Sequence, residues 1–232
     1  MAPPVSDIDS LMRFIQVLTG IFTVVLVALI VVAFLPDSEE PEKLPPIKAG
    51  GTPLEEGKYE TTVFRPQTEF EVGDGWETAS TEIRDYFDIA RRNTFEAISF
   101  ANVSRVASPQ DPSGLNHVPA PKNLPRWVRS HPRLEAGPAK KSSVDGLPAI
   151  QVDASVKSAT ARLGSCQGRC VPLFIPSDRR AVAYERDDRL RFLFVKMGRE
   201  TITITIAATG GQFEGFLSEA GDVVSTVEFG SG

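Results

Sequence analysis

Val17 to Leu35, VLTGIFTVVLVALIVVAFL, is a run of 19 residues without a single charge. Coiled as a helix, it spans roughly 29 Å at about 1.5 Å per residue, the thickness of a bilayer's hydrocarbon core. Nothing else in the chain approaches it. The run divides the sequence into four parts: a short cytoplasmic N-terminus (1–16), a transmembrane helix (17–35), a Pro-rich acidic linker (36–53) and a domain (54–232). A cleavable signal has a shorter apolar core, followed by a small-x-small site. Here the Val31-x-Ala33 pattern lies inside the apolar run, so retention as a single-pass anchor is expected, with a cleaved signal as the alternative. No Cys follows the run to carry a bacterial lipid anchor.

Orientation rests on Arg13, which abuts the run, against Lys43 and Lys48 farther away on the other side. Acidic flanking residues weigh little in this choice. The expectation is N-terminus in and C-terminal domain outside the cytoplasm. A cytosolic domain tethered from inside is the alternative. Pro36, Pro41, Pro45, Pro46 and Pro53 make the linker stiff and solvated.

The region after the linker is long enough for one domain with its own core. Charges are mixed in sign and the net charge is −5, which argues against a globally basic nucleic-acid binder. Phe is the dominant aromatic, at 14 against 3 Tyr and 2 Trp, which suggests a core packed with phenylalanine.

Cys166 and Cys170, in GSCQGRCVP, are the only cysteines. Outside the cell such a pair reads as a disulfide that staples a tight loop. Free or redox thiols and a metal site are the alternatives. C-x-x-x-C binds copper in certain assembly proteins and in oxidase subunit II, but those sites also need His or Met. The VPLFIPSDRR that follows Cys170 has neither.

Along the domain, Tyr59–Phe64, Phe70–Val72, Tyr86–Ala90 and Ala97–Val103 read as strands, with a turn at Gly73-Asp74-Gly75. Arg105 to Pro125 carries five prolines and reads as one long loop. Leu124 to Leu134 reads as a short helix with Trp127, His131 and Leu134 on one face and Arg126, Arg129 and Arg133 on another. Val144–Val156 returns to extended structure after Asp145-Gly146. Arg189–Lys196 and Thr201–Ala208 alternate with period two around Gly198-Arg199, the strongest hairpin signal in the chain. In the second of these strands the isoleucines face one way and the threonines the other, toward solvent or a lightly covered sheet face. Gly211–Thr226 reads as an amphipathic helix, with Phe213, Phe216, Leu217, Ala220, Val223, Val224 and Val227 as its apolar stripe, and a last short strand follows at Val227–Phe229. Grouped strands and few helices give an α+β expectation: an antiparallel sheet flanked by helices.

LEEGKYETTVFRP, FEVGDGW, LPRWVRSHPRL, VDGLPAIQVD, the C-x-x-x-C segment, RLRFLFVKMGRETITITI and FEGFLSEAGDVVSTVEF together resemble a group of exported, membrane-anchored bacterial domains of uncharacterised function, common in actinobacteria. The closing Phe-rich helix and strand also resemble the PsbP/Mog1 type. That resemblance implies an α/β/α sandwich and an accessory, partner-binding role. It brings no catalytic residues, and fold does not fix function.

The sequence holds no G-x-S-x-G, S-x-x-K, H-E-x-x-H, EF-hand, Walker A or G-x-G-x-x-G motif. Gly210-Gly211 before a helix could meet an anion, but reads first as a turn. Only His117 and His131 are available for proton transfer near neutral pH. His131, beside Trp127, reads as a structural, hydrogen-bonded histidine. Asn102-Val103-Ser104 is a glycosylation sequon by pattern. No catalytic, cofactor or metal residues are assigned. Arg126, Arg129 and Arg133, with Lys140 and Lys141 beyond, read first as a solvated charged face, and are the best surface candidates for meeting anionic headgroups or an acidic partner. The expectation is a non-catalytic extracytoplasmic binding or accessory domain with a protein partner, held to the membrane by Val17 to Leu35. A tethered enzyme with an unrecognised site, and a small-molecule sensor or carrier, are the alternatives.

Overall fold

The computed structural model describes residues 44–47, 50–111, 113, 115–164, 166–176 and 181–230. The N-terminus, the apolar run Val17 to Leu35 and linker residues 36–43 lie outside the described residues. Among the described residues no helix is long and apolar enough to cross a membrane.

In chain order the elements are β1 (Pro53–Leu54), β2 (Gly57–Glu60), β3 (Thr68–Val72), β4 (Trp76–Thr78), β5 (Tyr86–Arg91), β6 (Ala97–Asn102), β7 (Arg105–Ala107), β8 (His117–Pro119), α1 (Leu124–Arg129) and β9 (Leu134–Ala136). They continue as β10 (Lys140–Val144), β11 (Leu147–Val156), β12 (Cys170–Ile175), β13 (Val182–Glu185), β14 (Asp188–Met197), β15 (Glu200–Thr209), α2 (Phe213–Ser225) and β16 (Glu228–Phe229). A nine-stranded sheet runs β1-β4-β5-β6-β15-β14-β11-β10, with β9 also paired to β11. A four-stranded sheet runs β13-β12-β7-β8, and a three-stranded sheet runs β16-β3-β2.

The expected α/β/α sandwich does not form. Two short helices, of 6 and 13 residues, are too little to flank a nine-stranded sheet. Strands share the covering with them. Period-two alternation in β14 and β15 explains how. Leu193, Val195, Ile202, Ile204 and Ile206 join one core, with Phe213, Phe216, Ala220 and Val223 of α2 and Phe70 and Val72 of β3. Leu190, Phe192 and Phe194 join a second core, with Val171, Leu173 and Phe174 of β12 and Leu124 and Val128 of α1. The threonine side of β15 belongs to this second, covered face: Thr203 and Thr205 are buried, not solvated.

The first core is built on phenylalanine. Phe87 and Phe100 are register partners on β5 and β6, with rings stacked at 4.3 Å, and Phe64 meets Phe87 edge-on at 4.9 Å. Each such side chain contributes about 1.5–3 kcal/mol by leaving water. Trp76 of β4 lies against Phe216 of α2, ring centroids 5.8 Å apart. Ile47, in the linker by sequence, is buried in the same core.

The turns follow local chemistry. Asp145 and Gly146 both take positive φ, at 51° and 66°, as a two-residue type I′ hairpin turn needs. Gly198 has φ 58° at the tip between β14 and β15. The helix expected over Leu124–Leu134 stops at Arg129. The Asn123 side chain accepts from the Arg126 N–H at 2.9 Å to cap its start, and Ser130 closes it ahead of Pro132. Leu134 begins β9 instead. The Pro-rich stretch expected as one loop contains β7 and β8, which pair with each other; β7 also pairs with β12. The strand expected over Tyr59–Phe64 stops at Glu60, and the chain turns so that Phe64 enters the core.

Candidate functional site

A broad concavity of the described surface lies where the tip of the β14–β15 hairpin meets three loops. Backbone hydrogen bonds link these loops in sequence. The Arg65 N–H donates to the Arg84 carbonyl at 2.9 Å, the Asn102 N–H to the Asp85 carbonyl at 2.9 Å, and the Ala120 N–H to the Ser104 carbonyl at 3.0 Å. The Asn102 side-chain amide also donates to the Arg65 carbonyl. Asn102 faces Ile202 in the ladder between β6 and β15, which ties the loops to the hairpin. The segment Ala120–Pro125, leading into α1, forms the opposite wall.

The groove between them has a volume of about 990 Å³. Val103, Ala120 and Ile150, half-buried on the second core, give it an apolar floor. Arg65, Arg84, Lys122, Lys196 and Arg199 line its rim, against Asp85 and Glu200. All of these cations are exposed. Among the described residues none of them forms an ion pair. Among the described residues the Arg65 guanidinium donates to backbone carbonyls, those of Thr62 at 3.1 Å and Phe64 at 2.8 Å. A concave surface on which one sign of charge predominates concentrates the field and raises the local concentration of counter-charge.

Arg65 owes its place to a buried carboxylate. Glu82, 8% exposed, accepts from the backbone N–H groups of Val63 at 2.8 Å and Phe64 at 2.7 Å, and from the Thr62 hydroxyl at 3.2 Å. These bonds hold the loop that carries Arg65 while Phe64 anchors it from below.

The arginines singled out from sequence separate. Arg126 and Arg129 are exposed on α1, which begins at the groove wall, and form no ion pair among the described residues. Arg133 lies past the end of α1, half-buried, and its guanidinium donates to the Pro109 carbonyl at 3.0 Å. It ties the helix to the Pro-rich segment. His131 is 3% exposed, edge-on to Trp127 at 4.9 Å, with the Arg133 N–H directed at Nδ1 at 3.4 Å. Burial, aided by the Arg133 charge, pushes its pKa down to about 4. His117 stands in β8, half-buried.

Cys166 and Cys170 stand at disulfide distance, with Cα atoms 6.3 Å apart. Glu185 of β13 accepts from the Gln167 N–H at 2.6 Å inside that loop. A disulfide fits a domain outside the reducing cytoplasm. Among the described residues no group of three or more His, Cys, Asp or Glu is placed to hold a metal.

Lys196 and Arg199 were legible as exposed residues at a hairpin tip. Arg65 and Arg84 carried no signal, because only the folded chain brings them to that tip.

No family model matches the sequence, and no curated protein matches it. Among solved structures, the solution structure of cyanobacterial PsbP (CyanoP) from Synechocystis sp. PCC 6803 is similar over 79% of this chain and 98% of that chain, at 11% identity and a TM-score of 0.41. This is a distant likeness to a PsbP protein.

Proposed function

We propose that this chain is a single-pass, membrane-anchored extracytoplasmic binding domain, non-catalytic, that receives an anionic ligand in the groove at the β14–β15 tip. The observation that carries the reading is the rim of exposed cations, none of which forms an ion pair among the described residues, concentrated in one groove by the fold. Cations outnumber carboxylates along the groove, and attraction there steers association. The apolar run supports the anchor, and the cysteine pair supports an oxidising compartment. Arg126 and Arg129 extend the positive surface past the groove wall.

The test is titration of fluorescent polyglutamate onto the full chain held in nanodiscs of neutral lipid. The reading predicts saturable binding that weakens as salt rises, because the rim charges are exposed. The pair Lys196→Glu and Arg199→Glu is expected to weaken it by roughly tenfold or more. Absence of binding, or binding indifferent to this pair, refutes the reading.

A further inference from the structure

We infer that the ligand of this groove is an extended acidic segment of another protein in which carboxylates alternate with apolar side chains. This rests on the anion-binding reading above and names its substrate class. Two features point past a simple polyanion. The floor is apolar, formed by Val103, Ala120 and Ile150 packed on the second core. A ligand of charge alone leaves that floor in contact with water, whereas an apolar side chain removes it from water at about 25 cal/mol per Å². The rim also carries acidic groups among its cations: Glu200 adjoins Arg199, and Asp85 adjoins Arg84. A uniformly charged polymer meets like charges at both places, and such juxtapositions discriminate against wrong partners. A peptide with spaced carboxylates can set them against the cations only.

The arrangement of apolar floor and polar rim is that of a protein-protein contact. Recognition of acidic motifs by clustered cations is a recurrent peptide-binding mode. At about 990 Å³ the groove matches the largest small-molecule sites, yet it runs open between the hairpin tip and the Ala120–Pro125 wall, which suits a chain passing through. A flat bilayer would meet the rim and leave the recessed floor untouched.

The experiment compares probes on the full chain in neutral nanodiscs: a labelled twelve-residue peptide alternating Glu with Leu or Val, polyglutamate of equal charge, and vesicles with about a third anionic lipid. The expected result is that the mixed peptide binds at least tenfold tighter than polyglutamate, that Ile150→Lys removes this advantage, and that Lys196→Glu with Arg199→Glu weakens both peptides. Thermal melts of each variant identify loss of fold. If polyglutamate binds as tightly as the mixed peptide, the inference is wrong while the anion-binding reading stands. If only the vesicles bind, the occupant is a headgroup surface and the inference is overturned. If no probe binds, both fall.

Discussion

Asp153 and Arg191 face each other across β11 and β14, joined by hydrogen bonds of 2.6 and 3.1 Å from the guanidinium to both carboxylate oxygens. Gln151 adds its amide to the same carboxylate. Burial pushes the Asp153 pKa up, but the bonds and charge of Arg191 outweigh it and hold the carboxyl below its ordinary value. Both side chains are partly exposed, at 36% and 26%, so solvent screens the pair. Arg191→Met is expected to lower stability by about 1 kcal/mol. A depressed carboxyl stabilises the fold above its unfolded pKa and loses that contribution as pH falls through the folded value. Urea unfolding from pH 7 to pH 3 should therefore show a shallower acid loss in Arg191→Met. An unchanged acid limb contradicts this account of the pair.

His131 and Asp188 give the fold opposite responses to acid. The His131 pKa, pushed down to about 4 by burial, lies below the ordinary histidine value. Its stabilising contribution is complete above about pH 6.5 and is lost as pH falls toward about 4, on the order of 2 kcal/mol after screening. Asp188, at the start of β14, is pushed up to about 6 by burial, with Glu185 and Asp187 nearby adding repulsion. Native Asp188 keeps its proton longer than the unfolded chain does. Its contribution is present below the unfolded value and is lost as pH rises through about 6. Asp188→Asn is expected to steepen the loss of stability between pH 6.5 and 4.5, and His131→Gln to flatten it. Denaturant midpoints at these pH values decide it, and equal slopes in both variants would show that neither group governs the acid response.

Glu82 is the support beneath Arg65. Its carboxylate satisfies the N–H groups of Val63 and Phe64, the latter buried. Glu82→Ala leaves a buried donor unpaired and is predicted to cost about 2–4 kcal/mol. Glu82→Gln keeps an acceptor and is predicted to cost less. Urea midpoints measure both, and a Gln variant as damaged as the Ala variant would show that charge, not hydrogen bonding, holds the loop.

Much of the strand pattern was readable because it is local. The alternation in β14 and β15, the Asp145-Gly146 turn and the stripe on α2 each declare themselves within a few residues. What covers a sheet face is not local. The threonines of β15 carry the same period whether they face water or the four-stranded sheet, and CVPLFI became legible as a strand only where β7 and β13 pair with it. That covering sheet, built from short and Pro-rich segments, is why the layered sandwich with flanking helices was the wrong expectation. The Asn123 cap and Ser130 stop explain why Arg133 left the helix face it was expected to share with Arg126 and Arg129. The groove was hidden for a related reason. Arg65 and Arg199 are far apart in the chain, and no periodicity connects them.

The most direct measurement places a single reporter in the groove of the full chain in living cells. Ser104 is exposed, lines the groove and carries no charge. Ser104→Cys is treated with a membrane-impermeant maleimide, with and without added polyglutamate, in the parent chain and in the Lys196→Glu, Arg199→Glu background. The account predicts labelling in intact cells, slowed by polyglutamate in the parent and unaffected by it in the double variant. Labelling only after lysis, or labelling that polyglutamate leaves unchanged in the parent, contradicts it.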